Sequence, residues 1–270
     1  MSPHPVRLAL LAAAGAVGLA GSVVLAHTSR HVQGGLGIAP PFITSASFMT
    51  AGLFAWWRRP HNHFGLLMFA AGATLLLGAM KLSNAPVAFG VGVIVNNLFF
   101  AVLVQMLVAF PAGRLEGRTE RSLVGLCYAG LIVTSLSMVT LRRQCGCANP
   151  EPRNVFLIAN RPGLASVIET AAWVTLLVAA TWIAVLLARR WRGASRPRRR
   201  IIAPVLWSAA AVIATLAVVL ALRVAQAPSA AQHVVSWISV AAVSALPFAF
   251  LAGLLRSRYS RADAVGELLA

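Results

Sequence analysis

The residues best suited to chemistry in this chain are a few polar groups inside long apolar segments. Glu169 lies within one such segment, and the neighbours Asn96 and Asn97 lie within another. A polar group in such surroundings costs free energy unless it is hydrogen-bonded or reaches water. Glu169 could therefore bind a cationic ligand or a proton, or pair with Arg161 or Arg223. The interpretation we favour is a carboxylate near a membrane surface that reaches water.

Asn96 and Asn97 also have two interpretations. Side-chain amides in apolar helices commonly form hydrogen bonds with neighbouring helices, and this is the role we favour for the pair. Lining of a ligand pocket is the alternative. With Glu169, the two asparagines are the candidate ligand or switch residues of the chain.

Cysteine and histidine supply a second group of candidates. Cys145 and Cys147 flank a single glycine in a polar segment, and His27 and His31 lie four residues apart in another. Two thiolates and two imidazoles could hold a soft or borderline metal ion tetrahedrally. A disulfide between the two cysteines, or free thiols, are the alternatives. Because nothing in the sequence shows that the two segments meet, we predict no metal site and no cofactor.

Motifs of common enzyme classes are absent from the sequence. It contains no phosphate-binding loop with its lysine, no HExxH and no GxSxG. Lys81, the single lysine, lies at the end of an apolar segment, whereas a retinal-type Schiff base needs a lysine in the middle of one. The sequence therefore predicts no catalytic residue and no enzymatic activity.

Composition predicts the elements that hold these residues. The 270 residues are 59% hydrophobic and 11% charged, whereas ordinary soluble domains are about 25% charged. The apolar residues form blocks of roughly 20, the length that crosses a hydrocarbon core of about 30 Å. Lipid offers no partners for open backbone groups, so the blocks are expected to be helical. We predict an all-α, polytopic transmembrane bundle of about eight spans. The predicted spans are residues 6–26, 41–57, 64–82, 87–110, 122–141, 164–188, 201–222 and 232–255.

The net charge of +17 is explained by topology rather than by nucleic acid binding. Basic residues lie almost entirely between the apolar blocks, where lipid headgroups and the positive-inside rule account for them. The segment 189–200 is the richest in arginine. Placing it inside the cell puts both termini in the cytoplasm. The chain is thus expected in the plasma membrane, with the lipid bilayer as its first partner and no nucleic acid.

The residues after the last predicted span have a different pattern. Residues 1–255 are expected to form the membrane domain, and residues 256–270 the start of a cytoplasmic helix. Ala262, Val265 and Leu269 fit the first apolar positions of a heptad. A single heptad fits both a dimerisation helix and a frayed amphipathic tail, and both interpretations stay open.

Three segments resemble the membrane region of actinobacterial two-component sensor histidine kinases. Residues 58–68, RRPHNHFGLLM, are similar to the RRPxNxxGxLL start of a helix in those proteins. Residues 110–115, FPAGRL, resemble their FPxGRL turn, and residues 254–268 resemble the connection from the last span to the dimerisation helix. The residues of the two loop motifs are Arg58, Arg59, Pro60, Asn62, Gly65, Phe110, Pro111, Gly113 and Arg114.

Each loop motif also has a local physical role. Pro60 ends the preceding helix, and Asn62 can cap the following one. Pro111 and Gly113 end another helix, and Arg114 is suited to anchoring that turn at the membrane surface.

The resemblance implies a membrane signal-input module that passes a stimulus through its last span to a cytoplasmic dimeric output. A second copy or a partner kinase would bind through the membrane helices and residues 256–270. In the family, a cytoplasmic histidine accepts phosphate and another domain binds ATP. The sequence shows neither up to Ala270, so no catalytic residue is carried over. A truncated kinase and a stand-alone relative are both compatible with this.

Two other functions remain as alternatives. A small-molecule transporter or permease subunit would use Glu169, Asn96 and Asn97 along its path. A stand-alone accessory membrane protein would pair with a full-length kinase through its helices.

Overall fold

The chain is mostly helical in the part that its structure, a computed structural model, describes. These residues are 5–30, 39–110, 113–115, 117–144, 151–192, 203, 206–208, 210–212, 214–215, 217–218, 222, 231, 234–235 and 237–253. Helices, turns and bends occur within these ranges, and no strand does. The prediction of an all-α chain is therefore confirmed for the described residues.

The long helices correspond to the first six predicted apolar blocks, and several extend beyond them by a few residues. They are α1 (Pro5–Thr28), α2 (Ala39–Arg58), α3 (Phe64–Gly78), α4 (Pro86–Ala109), α5 (Arg118–Leu141) and α6 (Pro162–Arg192). A 3₁₀ turn, Ala79–Leu82, continues α3, and a further helix covers Trp237–Gly253. Pro86 begins α4 because proline fits the first helical position, where no backbone N–H donor is needed.

Four helices of the described ranges are long and apolar enough to cross a membrane. They are Pro5–Thr28, Phe64–Leu82, Pro86–Ala109 and Arg118–Leu141. Helix α2 is not among the four, although it has 20 residues. Membrane-length helices are thus a property of the fold, whereas the larger count of about eight spans stays a prediction, as does the N-in, C-in orientation.

Small residues let α2 and α3 pack backbone against backbone. The Ser45 hydroxyl donates to the Gly72 carbonyl oxygen at 2.7 Å. A Cβ placed on Gly72 would lie 2.7 Å from the carbonyl oxygen of Ser45, and one on Gly52 would lie 2.7 Å from that of Gly65. Gly65, part of the first loop motif, would likewise bring a Cβ to 2.5 Å from the Trp56 nitrogen. Close approach of this kind is typical of helices that associate in membranes.

Helix α4 is central among α1–α5, and α1 lies at the edge. Helix α4 packs against α3 and α5. Half of its most apolar window is buried, against 11% for α1. Phe99 of α4 is 3% exposed and meets Phe48 of α2 edge to face, with ring centroids 5.6 Å apart. The core therefore lies among α2, α3, α4 and α5.

The connections between α1 and α6 gather at two ends. We call residues 59–63 and 113–115 the Asn62 end, and residues 28–30, 83–85 and 151–161 the Asn154 end. Asn84 shows how the second end is joined, because its amide donates to the Thr28 carbonyl at 2.8 Å and accepts the Arg30 N–H at 2.9 Å. Helices α1 to α5 run alternately between the two ends.

The chain divides into two compact units, Met1–Ala179 and Ala180–Ala270. In the second unit, the helix Trp237–Gly253 buries Leu246, Pro247 and Phe250 almost completely. The predicted start of a cytoplasmic helix, residues 256–270, lies outside the described residues, as does the predicted boundary at 255.

We expect Gly72→Val to destabilise the α2–α3 pair, because the new side chain would meet the backbone of Ser45 and Met49. Overpacking of this kind costs about 1–3 kcal/mol, so the midpoint of thermal unfolding in mild detergent should fall by roughly 5 °C. Gly125→Val in α5 is the control, because a Cβ there would meet nothing within 4 Å. Equal losses in the two variants would contradict the close packing.

Candidate functional site

An ion pair joins the end of α5 to the first turns of α6. Arg142 Nη2 lies 3.0 Å from Glu169 Oε2, and the two side chains are 21% and 26% exposed. Arg142 Nε is buried and finds no hydrogen-bond acceptor in the described part of the chain. The structure therefore pairs Glu169 with Arg142 rather than with Arg161, and Arg223 lies outside the described residues.

The segment 151–161 lies beside this ion pair and forms hydrogen bonds with the C-terminal end of α5. Helices leave their last carbonyl groups without intrahelical partners, so such groups need other donors. The Asn154 amide donates to the carbonyl oxygens of Val139 and Arg142, both at 2.7 Å. Backbone N–H groups further along the segment donate to the last two carbonyl oxygens of α5, at 2.9 to 3.2 Å. The segment is thus bound to α5 by its backbone.

Phe156 attaches the same segment to α4. A Cβ placed on Gly90 would lie 2.5 Å from the Phe156 ring, so the ring occupies the space that a larger residue would fill. Around it lies a small apolar cluster of Phe89, Val93 and Val139. A displacement of segment 151–161 would consequently disturb both α4 and α5.

Asn96 faces the 3₁₀ turn that follows α3. Its Oδ1 accepts a hydrogen bond from Lys81 Nζ at 3.1 Å. The helices are close here, since a Cβ on Gly78 would lie 2.9 Å from Asn96 Cα and one on Gly92 would meet the Lys81 backbone nitrogen. Lys81 lies at the end of its helix, as the sequence indicated, and its amine turns inward to α4.

Asn97 faces the opposite neighbour, α5. Its amide donates to the Ser135 hydroxyl at 3.1 Å, and Ser135 in turn donates to the Leu131 carbonyl at 2.8 Å. About two turns further along α4, Gln105 Oε1 accepts the Tyr128 hydroxyl at 2.8 Å. The asparagines thus form interhelical hydrogen bonds, the first of their two interpretations.

The two loop motifs come together at the Asn62 end. Asn62 Oδ1 accepts the Phe64 N–H at 2.9 Å, so it satisfies the first N–H of α3, although the N-cap residue is His63 and its side chain forms no capping bond. Gly113 has a φ of 72°, and a Cβ there would meet Asn62 Oδ1 and lie 2.8 Å from the Phe64 nitrogen. The rings of Phe64 and Phe110 pack edge to face at 5.5 Å. Glycine is therefore required at position 113 by both its backbone conformation and its neighbours.

The basic residues of the motifs lie at the same end. The Arg58 guanidinium stands 5.3 Å from the Phe54 ring centroid and 5.1 Å from that of Trp57. Stacking of this kind suits an arginine at a helix end, where its stem covers apolar surface and its charge reaches water. Arg114 is exposed, Arg59 and Pro60 are partly buried, and Pro111 lies outside the described residues.

His27 is the one candidate metal ligand that lies in the described part of the chain. His27 is exposed at the end of α1, whereas Cys145, Cys147 and His31 lie outside the described ranges. Within those ranges, no group of three or more histidine, cysteine, aspartate or glutamate side chains could hold a metal ion. Cys127 is a buried, free cysteine in α5.

Sequence reasoning missed Arg142 and Asn154 as members of this site. Both follow a predicted span, and their partners lie 27 and 15 residues away along the chain. The available signal was Arg142 at the end of an apolar block, which made it a third cation, besides Arg161 and Arg223, that could pair with Glu169. The site that results has a charged, partly buried junction at the Asn154 end and packed loop motifs at the other.

We expect Arg142→Gln to destabilise the chain, because Glu169 then keeps its charge in a partly buried position. The loss should be about 1–2 kcal/mol, between the values for exposed and buried ion pairs. Arg161→Gln is the matched control, since its backbone N–H bond to Leu141 is retained. Unfolding in detergent measures both variants. Combining Arg142→Gln with Glu169→Gln should cost less than the sum of the two single losses, and strict additivity would contradict the pairing.

Comparisons with known proteins give this chain no family. No family model matches its sequence, and searches of curated proteins and of solved structures find no match either. The contacts described above are therefore the basis for proposing a function.

Proposed function

We propose that the chain is the membrane signal-input module of a sensor histidine kinase-like protein in the plasma membrane. In this proposal it crosses the bilayer about eight times, with both termini in the cytoplasm, and performs no catalysis itself. A stimulus is passed through the last span and residues 256–270 to a dimeric output, made with a second copy or with a partner kinase.

The observation that carries the proposal is the contact between the two loop motifs. The motifs are separated in sequence by a helical hairpin and its connection, yet Gly113 packs on Asn62 and Phe64. The features that produce the resemblance to sensor kinases thus belong to one packed structure. This supports a common structural role for the motifs at the Asn62 end, which we propose is the cytoplasmic one.

The Asn154 end supplies a place where a stimulus could act. The Arg142–Glu169 pair and segment 151–161 tie α4, α5 and the start of α6 together. A switch needs two packings of similar free energy, with the stimulus favouring one of them. In our proposal, separation of the ion pair allows α6 to shift against α5. The shift then passes along the chain through segment 189–200 to the last spans.

The polar residues inside the helices support this function over transport. Asn96, Asn97 and Glu169 each bond to another protein group within the first unit. Residues that carry a substrate or an ion across a membrane face a cavity or a pathway, and neither groove found among the described residues is lined by these three. Their hydrogen bonds are those of groups that hold helices together.

The proposed orientation predicts which end of the helices an impermeant thiol reagent can label. Arg114 and Arg153 are both exposed, at the Asn62 end and the Asn154 end respectively. In a variant whose native cysteines are replaced by alanine, Arg153→Cys should be labelled in intact cells. Arg114→Cys should be labelled after permeabilisation alone, because it faces the cytoplasm. The reverse pattern would refute the orientation.

The signalling role predicts that output follows changes at both ends. A histidine-kinase core fused after Ala270 should change its autophosphorylation by about fivefold or more when Glu169→Gln or Gly113→Val is introduced, the size of ordinary allosteric coupling. Gly125→Val is the matched control, since its position in α5 is open. Equal membrane amounts of each variant are verified by immunoblotting. Output that ignores both changes would count against a signal-input module.

A further inference from the structure

A groove lies between α1 and the α2–α3 pair. Its volume is about 490 Å³, within the range of sites that hold one small ligand. Gly15, Gly18 and Gly21 form part of the α1 wall, and Phe69, Ala73 and Leu76 form part of the other. Apart from Ser22, the side chains along it are apolar or absent.

The groove exists because α1 touches its neighbours through side-chain tips. A Cβ on Gly15 would lie 2.5 Å from Met49 Cε, and one on Gly18 would lie 2.5 Å from Leu76 Cδ2. A Cβ on Gly21 would meet nothing within 4 Å. At these two positions the contact is thus made by the side chains of Met49 and Leu76, whereas the α2–α3 pair is closed by backbone contacts. Open space remains beside the two side chains.

The dimensions of the groove select its occupant. Its α1 wall extends from Ala14 to Leu25, a length of about 16 Å at the rise of an α-helix. The volume spread over that length gives a mean cross-section of about 30 Å². This long and narrow space fits a single extended hydrocarbon chain.

A cation near the end of the groove indicates the headgroup. Arg30 is exposed and lies five residues beyond Leu25, the last α1 residue that lines the groove, and its backbone N–H bonds to Asn84 at 2.9 Å. An arginine at this end of α1 complements a phosphate attached to an acyl chain in the groove. We propose that this groove binds one acyl chain of an anionic phospholipid, with its phosphate at Arg30. The inference rests on the proposed membrane location but not on the signalling role.

Native mass spectrometry of the purified full chain in mild detergent tests this site. Phosphatidylglycerol is added in steps, and bound lipid is counted for wild type, Gly21→Leu and Gly125→Leu. Leucine at position 21 places its side chain in the groove, and its Cβ meets nothing within 4 Å, so affinity should fall about tenfold, which corresponds to about 1.4 kcal/mol. The same change at position 125 should leave the affinity unaltered, because that residue does not line the groove.

A second variant tests the headgroup. With Arg30→Gln, the preference of the protein for phosphatidylglycerol over phosphatidylcholine should fall by about tenfold. Equal lipid binding by wild type and Gly21→Leu would overturn the proposal, and so would loss of a protein dimer in Gly21→Leu without loss of lipid. Recovery of the chain from the membrane fraction establishes its location. A kinase fusion whose autophosphorylation does not respond to Glu169→Gln or Gly113→Val, while lipid binding stays normal, would refute the signalling role alone.

Discussion

Polar groups inside apolar helices need partners, and this need sets how α3, α4 and α5 are arranged. Each of the neighbours Asn96 and Asn97 serves a different helix, because consecutive residues of an α-helix point about 100° apart. The first accepts from Lys81, and the second donates to Ser135. Rotation of α4 about its axis would break both bonds together. Apolar packing alone would restrict this rotation much less, because an apolar side chain has similar surroundings whether it faces lipid or a neighbouring helix.

Glycine serves two opposite purposes in the same bundle. At Gly52, Gly65 and Gly72 it brings backbones into contact, and the pair α2–α3 becomes a compact unit. At Gly15 and Gly18 it receives the tips of flexible side chains, and α1 stays loosely attached. The difference lies in what faces each glycine, because a side-chain tip can withdraw whereas a backbone cannot.

Local chemistry made much of the fold predictable from the sequence. Apolar blocks gave the positions of α1 to α6, and the hydrogen bond of Asn62 to the start of α3 was predictable because its partner is two residues away. The pairing of Glu169 with Arg142 could not be chosen in the same way, since several arginines follow apolar blocks and spacing does not rank them. The contact between Gly113 and Asn62 could not be predicted from the sequence for a related reason. It depends on how two hairpins fold onto each other, which hydropathy does not encode.

The 3₁₀ turn at Ala79–Leu82 has a consequence for the direction of Lys81. In a 3₁₀ helix, side chains three residues apart are eclipsed, whereas an α-helix would offset them by about 60°. Lys81 therefore stands directly in line with Gly78, and both face Asn96. Gly78 carries no side chain, and a Cβ there would lie 3.0 Å from Asn96 Oδ1, the oxygen that accepts the Lys81 amine. The 3₁₀ geometry, and not sequence distance alone, thus directs the single lysine of the chain toward Asn96.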